Sequence, residues 1–169
     1  MAEQTGSAVE RPEPPPAGSL LEPGAIRLFE RAADREDAIA RCGAVLVETG
    51  AVDPAYVAAM LARERSISTY VGEGVAIPHG TLAGKEAVRR DALAVLRFPE
   101  GVDWGGERVR VCVAIAARGD GHVAILAELA EILLDADRAR TLRESTDPAE
   151  VIRLLSPVGS GGAAREEGA

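Results

Sequence analysis

Aromatic side chains are scarce: one Trp, two Tyr and two Phe make up 3% of 169 residues. A core must therefore be assembled from Ala, Val, Leu and Ile, and the apolar fraction of 47% is enough for one ordinary domain. Cysteine is equally rare. Cys42 and Cys112 make no disulfide framework, and no zinc-ligand spacing is present. No apolar run is long enough to span a bilayer and no secretory h-region stands at the N-terminus, so the expected location is the cytoplasm. Positive charge is outweighed, with 19 Lys and Arg against 27 Asp and Glu and a net charge of −8. That balance excludes general binding to nucleic acid or to an anionic membrane, though it leaves room for a local basic patch. GxxxxGK[ST], GxSxG and HExxH are all missing. Nucleotide is thus not the obvious phosphoryl donor, and serine-hydrolase and zincin chemistry find no support.

What is present divides into a middle and two tails. Residues 1–23 carry Pro12, Pro14, Pro15, Pro16 and Pro23 among small and acidic residues. Such a segment buries too little apolar surface to offset its ordering entropy, so it reads as a disordered tail. The Gly-rich end, 157–169, reads as flexible. The domain is expected at 24–156, without internal repeats.

Within it, AIRLFE (Ala25–Glu30) predicts a short strand. Asp34 reads as the cap of a helix with Ile39, Cys42, Val45 and Leu46 on one face, ended by Gly50. Asp53-Pro54 predicts a second helix start, with Val57, Met60 and Leu61 buried and an end near Arg65. Val75–Ile77 is a brief strand, while Ala92–Phe98 and Arg108–Ala117 are stronger ones, and PEGVDWGGE between them reads as a loop. The β-branched run Arg108–Ala117 has the pattern of a central strand covered on both faces. Asp120 reads as the cap of a helix with a stripe of Ile125, Leu126, Leu129, Ile132 and Leu133. Two shorter helices start near Asp137 and Asp147. The expected fold is α/β (mixed α+β), a three-layer α/β/α sandwich with a mixed sheet of about four to five strands.

Two histidines are available for chemistry, His79 and His122. Pro78 fixes its own φ and holds Ile77 extended, and Gly80 permits close approach, so the His79 ring is held on a stiff turn at a strand end. His122 falls in the first turn of the Asp120 helix, where an anion is favoured over an imidazolium. Each has a plain structural reading as a satisfied polar group or a surface residue. Together they also fit phosphoryl chemistry, in which a neutral imidazole is the nucleophile and cations or N–H groups hold the phosphoryl oxygens. Arg63 and Arg65 are the nearby candidate cations.

The stretch MLARERSISTYVGEGVAIPHGT (Met60–Thr81) resembles the active-site segment of the IIA component of the mannitol-specific phosphotransferase system. VAIAARGDGHVAILAELAEIL resembles the later segment of that family, and FPEGVDWG stands in the expected place between them, although the loop after Trp104 is shorter than the family pattern. The resemblance runs from about Gly24 to Leu155. It implies that His79 accepts a phosphoryl group on Nε2 from the histidine-containing phosphocarrier protein. The group then passes to a cysteine of the IIB component of a sugar permease. It implies that His122 hydrogen-bonds or polarises the phosphoryl group, that Arg63 neutralises its charge, and that Glu73 lies near the active centre. No metal, nucleotide or other cofactor is implied, and no nucleic-acid partner or direct membrane insertion. The implied fold is a mixed sheet with helices on both faces. Partner contacts are expected to be small and transient, because donor and acceptor dock in turn.

With no IIB cysteine loop and no transmembrane segment in the chain, a standalone IIA protein is expected. Cys42 and Cys112 are expected to be buried and to take no phosphate. An alternative is a IIA-like regulatory sensor of the nitrogen or fructose type. The reading after PHG and the lack of a DNA-binding domain favour the mannitol branch over it. A non-enzymatic scaffold needs neither histidine.

Overall fold

A computed structural model describes residues 20–118 and 121–159. Every residue from Val111 to Ala117 is buried. A strand buried at consecutive positions has both faces covered, so β5 (Glu107–Ala116) lies at the centre of the sheet, as its apolar run predicts. The other strands are β1 (Ile26–Arg27), β2 (Tyr70–Gly72), β3 (Val75–Ala76) and β4 (Ala92–Trp104). Their order is β1-β4-β5-β3-β2. β1 runs parallel to β4 and β3 parallel to β5, while β4–β5 and β2–β3 are antiparallel. The sheet is thus mixed and five-stranded, within the expected range.

Two helical groups cover it. α1 (Arg35–Glu48) and α2 (Ala55–Ser66) pack on each other, with α1 against β4 and β5. α3 (Gly121–Leu133), α4 (Ala136–Glu144) and α5 (Pro148–Leu155) form the second group, and α4 also reaches β5. The Asp34 side chain caps α1 by accepting from the Asp37 amide at 2.8 Å, and Ile39, Cys42, Val45 and Leu46 are buried. Asp147 caps α5 with Pro148 at its first position. The cap expected at Asp120 lies outside the described residues.

Several boundaries differ from expectation. β1 is two residues long, because Pro23–Ala25 forms a 3-10 turn that leads straight into it. Asp53 does not cap α2; Arg89 occupies its carboxyl group at 2.6 Å. The buried face of α2 is Tyr56, Met60 and Glu64, with Val57 and Leu61 half-buried. α4 is capped by Asp135, two residues before Asp137. PEGVDWGGE is not a loop. β4 continues to Trp104 past an irregularity between Arg97 and Val102, and pairs as far as Trp104 with Glu107. Gly105 and Gly106, at φ of 69° and 102°, form the two-residue turn whose left-handed backbone matches the twist of a hairpin. Leu21 and Val158 are buried, so packed chain extends past both expected domain limits.

One buried carboxyl group fastens α2 to this hairpin. Glu64 accepts from the Thr69 amide at 3.1 and 3.2 Å, from Thr69 Oγ1 at 2.5 Å and from Trp104 Nε1 at 3.0 Å. An amide in its place puts a donor against donors, and each buried donor left unpaired costs about 1–3 kcal/mol. Glu64→Gln is expected to lose about that much stability, read by urea unfolding of the single Trp. A loss below about 0.5 kcal/mol shows that the pairing can be rearranged.

Candidate active site

β3 and β5 run parallel, so their C-terminal ends open at one edge of the sheet, where open α/β sheets gather their ligand-facing loops. The pairing continues beyond β3. Val75 lies opposite Val111, Ala76 opposite Cys112 and His79 opposite Ile115. The Ile115 amide donates to the Pro78 carbonyl at 2.9 Å. Proline offers no donor but keeps its acceptor, and its fixed φ carries the extended path up to His79.

His79 is buried, with 8% of its surface exposed. Its Nδ1 lies 2.8 Å from the carbonyl oxygen of Ile77. A carbonyl only accepts, so Nδ1 carries the proton, and in the neutral ring the lone pair belongs to Nε2. The ring lines a small cavity with Tyr56, Gly80, Thr81, Leu82, Lys85 and Ala117. Thr81 accepts from the Gly84 amide at 3.2 Å and starts the 3-10 turn Leu82–Ala87 that presents Leu82 and Lys85. Lys85, the single lysine of the chain, is exposed. The Tyr56 hydroxyl accepts from the Gly80 amide at 2.8 Å and donates to the Ile115 carbonyl at 2.9 Å. Burial raises the Tyr56 pKa above its ordinary value, against a smaller opposing effect of the Gly80 amide. The hydroxyl thus keeps its proton at neutral pH.

The residues singled out in the sequence fall in different places. Arg63 ends α2, and its Nη1 donates to the Ile67 carbonyl. The Ile77 amide donates to the Thr69 carbonyl at 3.0 Å, which ties the segment after α2 to the strand that leads to His79. His122 belongs to the first turn of α3, but its side chain lies outside the described residues. Gly121 follows the last residue of β5 by five positions, so α3 opens at the His79 end. Glu73 is not brought to the site. It sits in the β2–β3 turn at φ 57°, exposed, with its side chain 3.4 Å from Arg143 Nη1. The Gly74 carbonyl pairs with the Arg110 amide and that of Pro78 with the Ile115 amide, and five residues of β5 at about 3.3 Å each put roughly 16 Å between the turn and His79. The expectation that it lies near the centre is corrected: a β-turn projects it from the opposite end of the strand. Cys42 and Cys112 are fully buried, and burial, then the adjoining Cys42, pushes the Cys112 thiol well above its usual pKa.

Tyr56 and Lys85 belong to the cavity although the sequence reading does not select them. A tyrosine at a stripe position of an aromatic-poor chain is the available signal, since a buried phenol needs a hydrogen-bond partner. Among the described residues no group of three or more His, Cys, Asp and Glu is placed to hold a metal, and no helix is long and apolar enough to cross a membrane.

Residues 19–157 match the family described as phosphoenolpyruvate-dependent sugar phosphotransferase system, EIIA 2. The chain belongs to this EIIA 2 family. It is 39% identical over 142 residues to a multiphosphoryl transfer protein of Xanthomonas campestris, covering 83% of this chain and 17% of that protein. It is 38% identical over 140 residues to the mannitol-specific phosphotransferase enzyme IIA component of Halalkalibacterium halodurans, covering 83% of this chain and 97% of that one. The structure of an Escherichia coli complex of enzyme IIAMTL and phosphorylated enzyme IIBMTL aligns with a TM-score of 0.74 at 35% identity, over 80% of this chain and 98% of the other. The chain spans between 17% and 34% of the length of the multiphosphoryl transfer proteins that it matches.

Position 80 of this EIIA 2 chain takes glycine for space. A Cβ there stands 2.5 Å from Tyr56 Cε1 and 2.9 Å from Cζ, on a ring that is itself buried. Gly80→Ala is expected to cost about 1–3 kcal/mol in thermal or urea unfolding through overpacking. Gly24→Ala, with nothing within 4 Å of its Cβ, is the comparison and should stay within about 0.5 kcal/mol of wild type. Equal stability of the two variants shows that the Tyr56 ring can move aside.

Proposed function

We propose that the chain is a phosphoryl relay. His79 Nε2 accepts a phosphoryl group from the phosphohistidine of the histidine-containing phosphocarrier protein and passes it to a cysteine of a mannitol-type IIB component, for sugar uptake. The observation that carries this reading is the 2.8 Å contact from His79 Nδ1 to the Ile77 carbonyl, which assigns the lone pair to Nε2. The relatives support it. One is a mannitol-specific IIA component matched over nearly its whole length, and another is a IIA protein in complex with phosphorylated IIB. The relay operates in the cytoplasm.

In the first step Nε2 donates its electron pair to phosphorus while the N–P bond of the donor breaks and its pair returns to the donor ring. Positive charge develops on the His79 ring, and the Ile77 carbonyl, already holding the Nδ1 proton, stabilises it. In the second step a cysteine thiolate attacks phosphorus. The Nε2–P pair returns to the ring, which recovers the neutral tautomer that it started with. A ring with Nδ1 protonated leaves as a neutral imidazole, so the group stays labile between the two transfers. Most of the remaining work in phosphoryl transfer is positioning and charge compensation. Lys85 in the cavity wall and Arg63 in the last turn of α2 supply cations. His122, at the opening of α3, is the proposed second hydrogen-bonding ring on the phosphoryl oxygens.

The test is labelling from phosphoenolpyruvate through enzyme I and the phosphocarrier protein. Wild type should gain one phosphoryl group and His79→Ala none. His122→Ala should still be labelled, at a rate lowered roughly 10²-fold, as on losing one transition-state donor. An unlabelled wild type, or normal labelling of His79→Ala, overturns the assignment.

A further inference from the structure

His79 pairs with Ile115 in a parallel bridge, and on one side of it the Ile115 amide donates to the Pro78 carbonyl at 2.9 Å. On the other side the Tyr56 hydroxyl accepts from the Gly80 amide at 2.8 Å and donates to the Ile115 carbonyl at 2.9 Å. His79 is thus flanked by a backbone bond to Ile115 and by a hydroxyl that ties Gly80 to the same residue.

We propose that Tyr56 is the positioning residue for the acceptor ring, its hydroxyl tying Gly80 to Ile115 and so setting the angle at which His79 leaves the sheet. This rests on the relay reading above. The phenol is suited to the task. It is 3% exposed, its ring packs on the bare Cα of Gly80, and both of its hydrogen bonds end on backbone groups that flank the nucleophile. Removal of the hydroxyl leaves the Gly80 amide and the Ile115 carbonyl either to close on each other or to take water, and both outcomes re-aim the residue between them. The Nδ1 contact to Ile77 is local to residues 77–79 and is untouched, so Nε2 remains the nucleophile but off line. The exposed groups of the cavity wall, Leu82 and Lys85, are also unchanged, so donor docking is preserved.

The experiment is steady-state phosphoryl transfer from the phosphorylated phosphocarrier protein to wild type, Tyr56→Phe and Met60→Ala. Met60 is on the same buried face of α2, one turn on, so its truncation reports general loosening. Tyr56→Phe should lower kcat by roughly 10- to 100-fold, the scale of a misplacement of about 1 Å, with KM for the donor within about threefold of wild type. Met60→Ala should lower the melting temperature without lowering kcat. In ¹⁵N NMR spectra the Gly80 amide and the His79 ring signals should shift in Tyr56→Phe, with the Nδ1–H tautomer retained. Wild-type kcat in Tyr56→Phe, or an equal fall in both variants, overturns the proposal. A wild type that takes no phosphoryl group overturns the relay reading instead, and the positioning role with it.

Discussion

The hydrogen bond from the Ile115 amide to the Pro78 carbonyl joins the buried end of the central strand to the segment that carries His79. β5 is covered on both faces, and burying each Val or Ile side chain is worth about 1.5–3 kcal/mol. A strand anchored by that much burial does not bend to follow a loop, so the loop follows the strand. His79 inherits its position from that bond, through a proline that forbids most other backbone paths. The rest of the site is arranged around the same place. α2 brings Tyr56 in from one side, the 3-10 turn brings Lys85, and the C-terminal end of β5 contributes Ala117.

The parts of the fold governed by periodicity alone were legible. The α1 face, the central strand and the Asp147-Pro148 helix start follow from spacing that a single physical cause explains. Misreadings cluster where a second cause competes. PEGVDWGGE has the composition of a loop, yet cross-strand pairing overrides local preference, and the two glycines are spent on the hairpin turn alone. Asp53 before Pro54 looks like a cap until Arg89, far away in sequence, takes its carboxyl group. Apolar spacing predicts an α2 stripe of Val57, Met60 and Leu61, but the helix turns Tyr56 and Glu64 inward because their polar atoms find partners there.

At the site the same division holds. The stiffness of the His79 turn was readable, because Pro78 and Gly80 act on their immediate neighbours. Glu73 was assigned through resemblance, and a short hairpin separates residues that one continuous motif lists together. Tyr56 and Lys85 were not readable, since their relation to His79 exists only once α2 and the 3-10 turn have docked on the sheet. A motif records order along the chain, whereas a cavity is assembled across it.

The contact between His79 Nδ1 and the Ile77 carbonyl spans only two residues. The orientation of the ring is therefore stored in a tripeptide and is not borrowed from any docking loop. On the proposed relay, donor and acceptor arriving in turn meet the same nitrogen in the same state, and neither must first instruct it. In that proposal the segment is a fixed terminal, indifferent to which side delivers the group and which collects it, and the direction of traffic is set by the relative loading of the two partners.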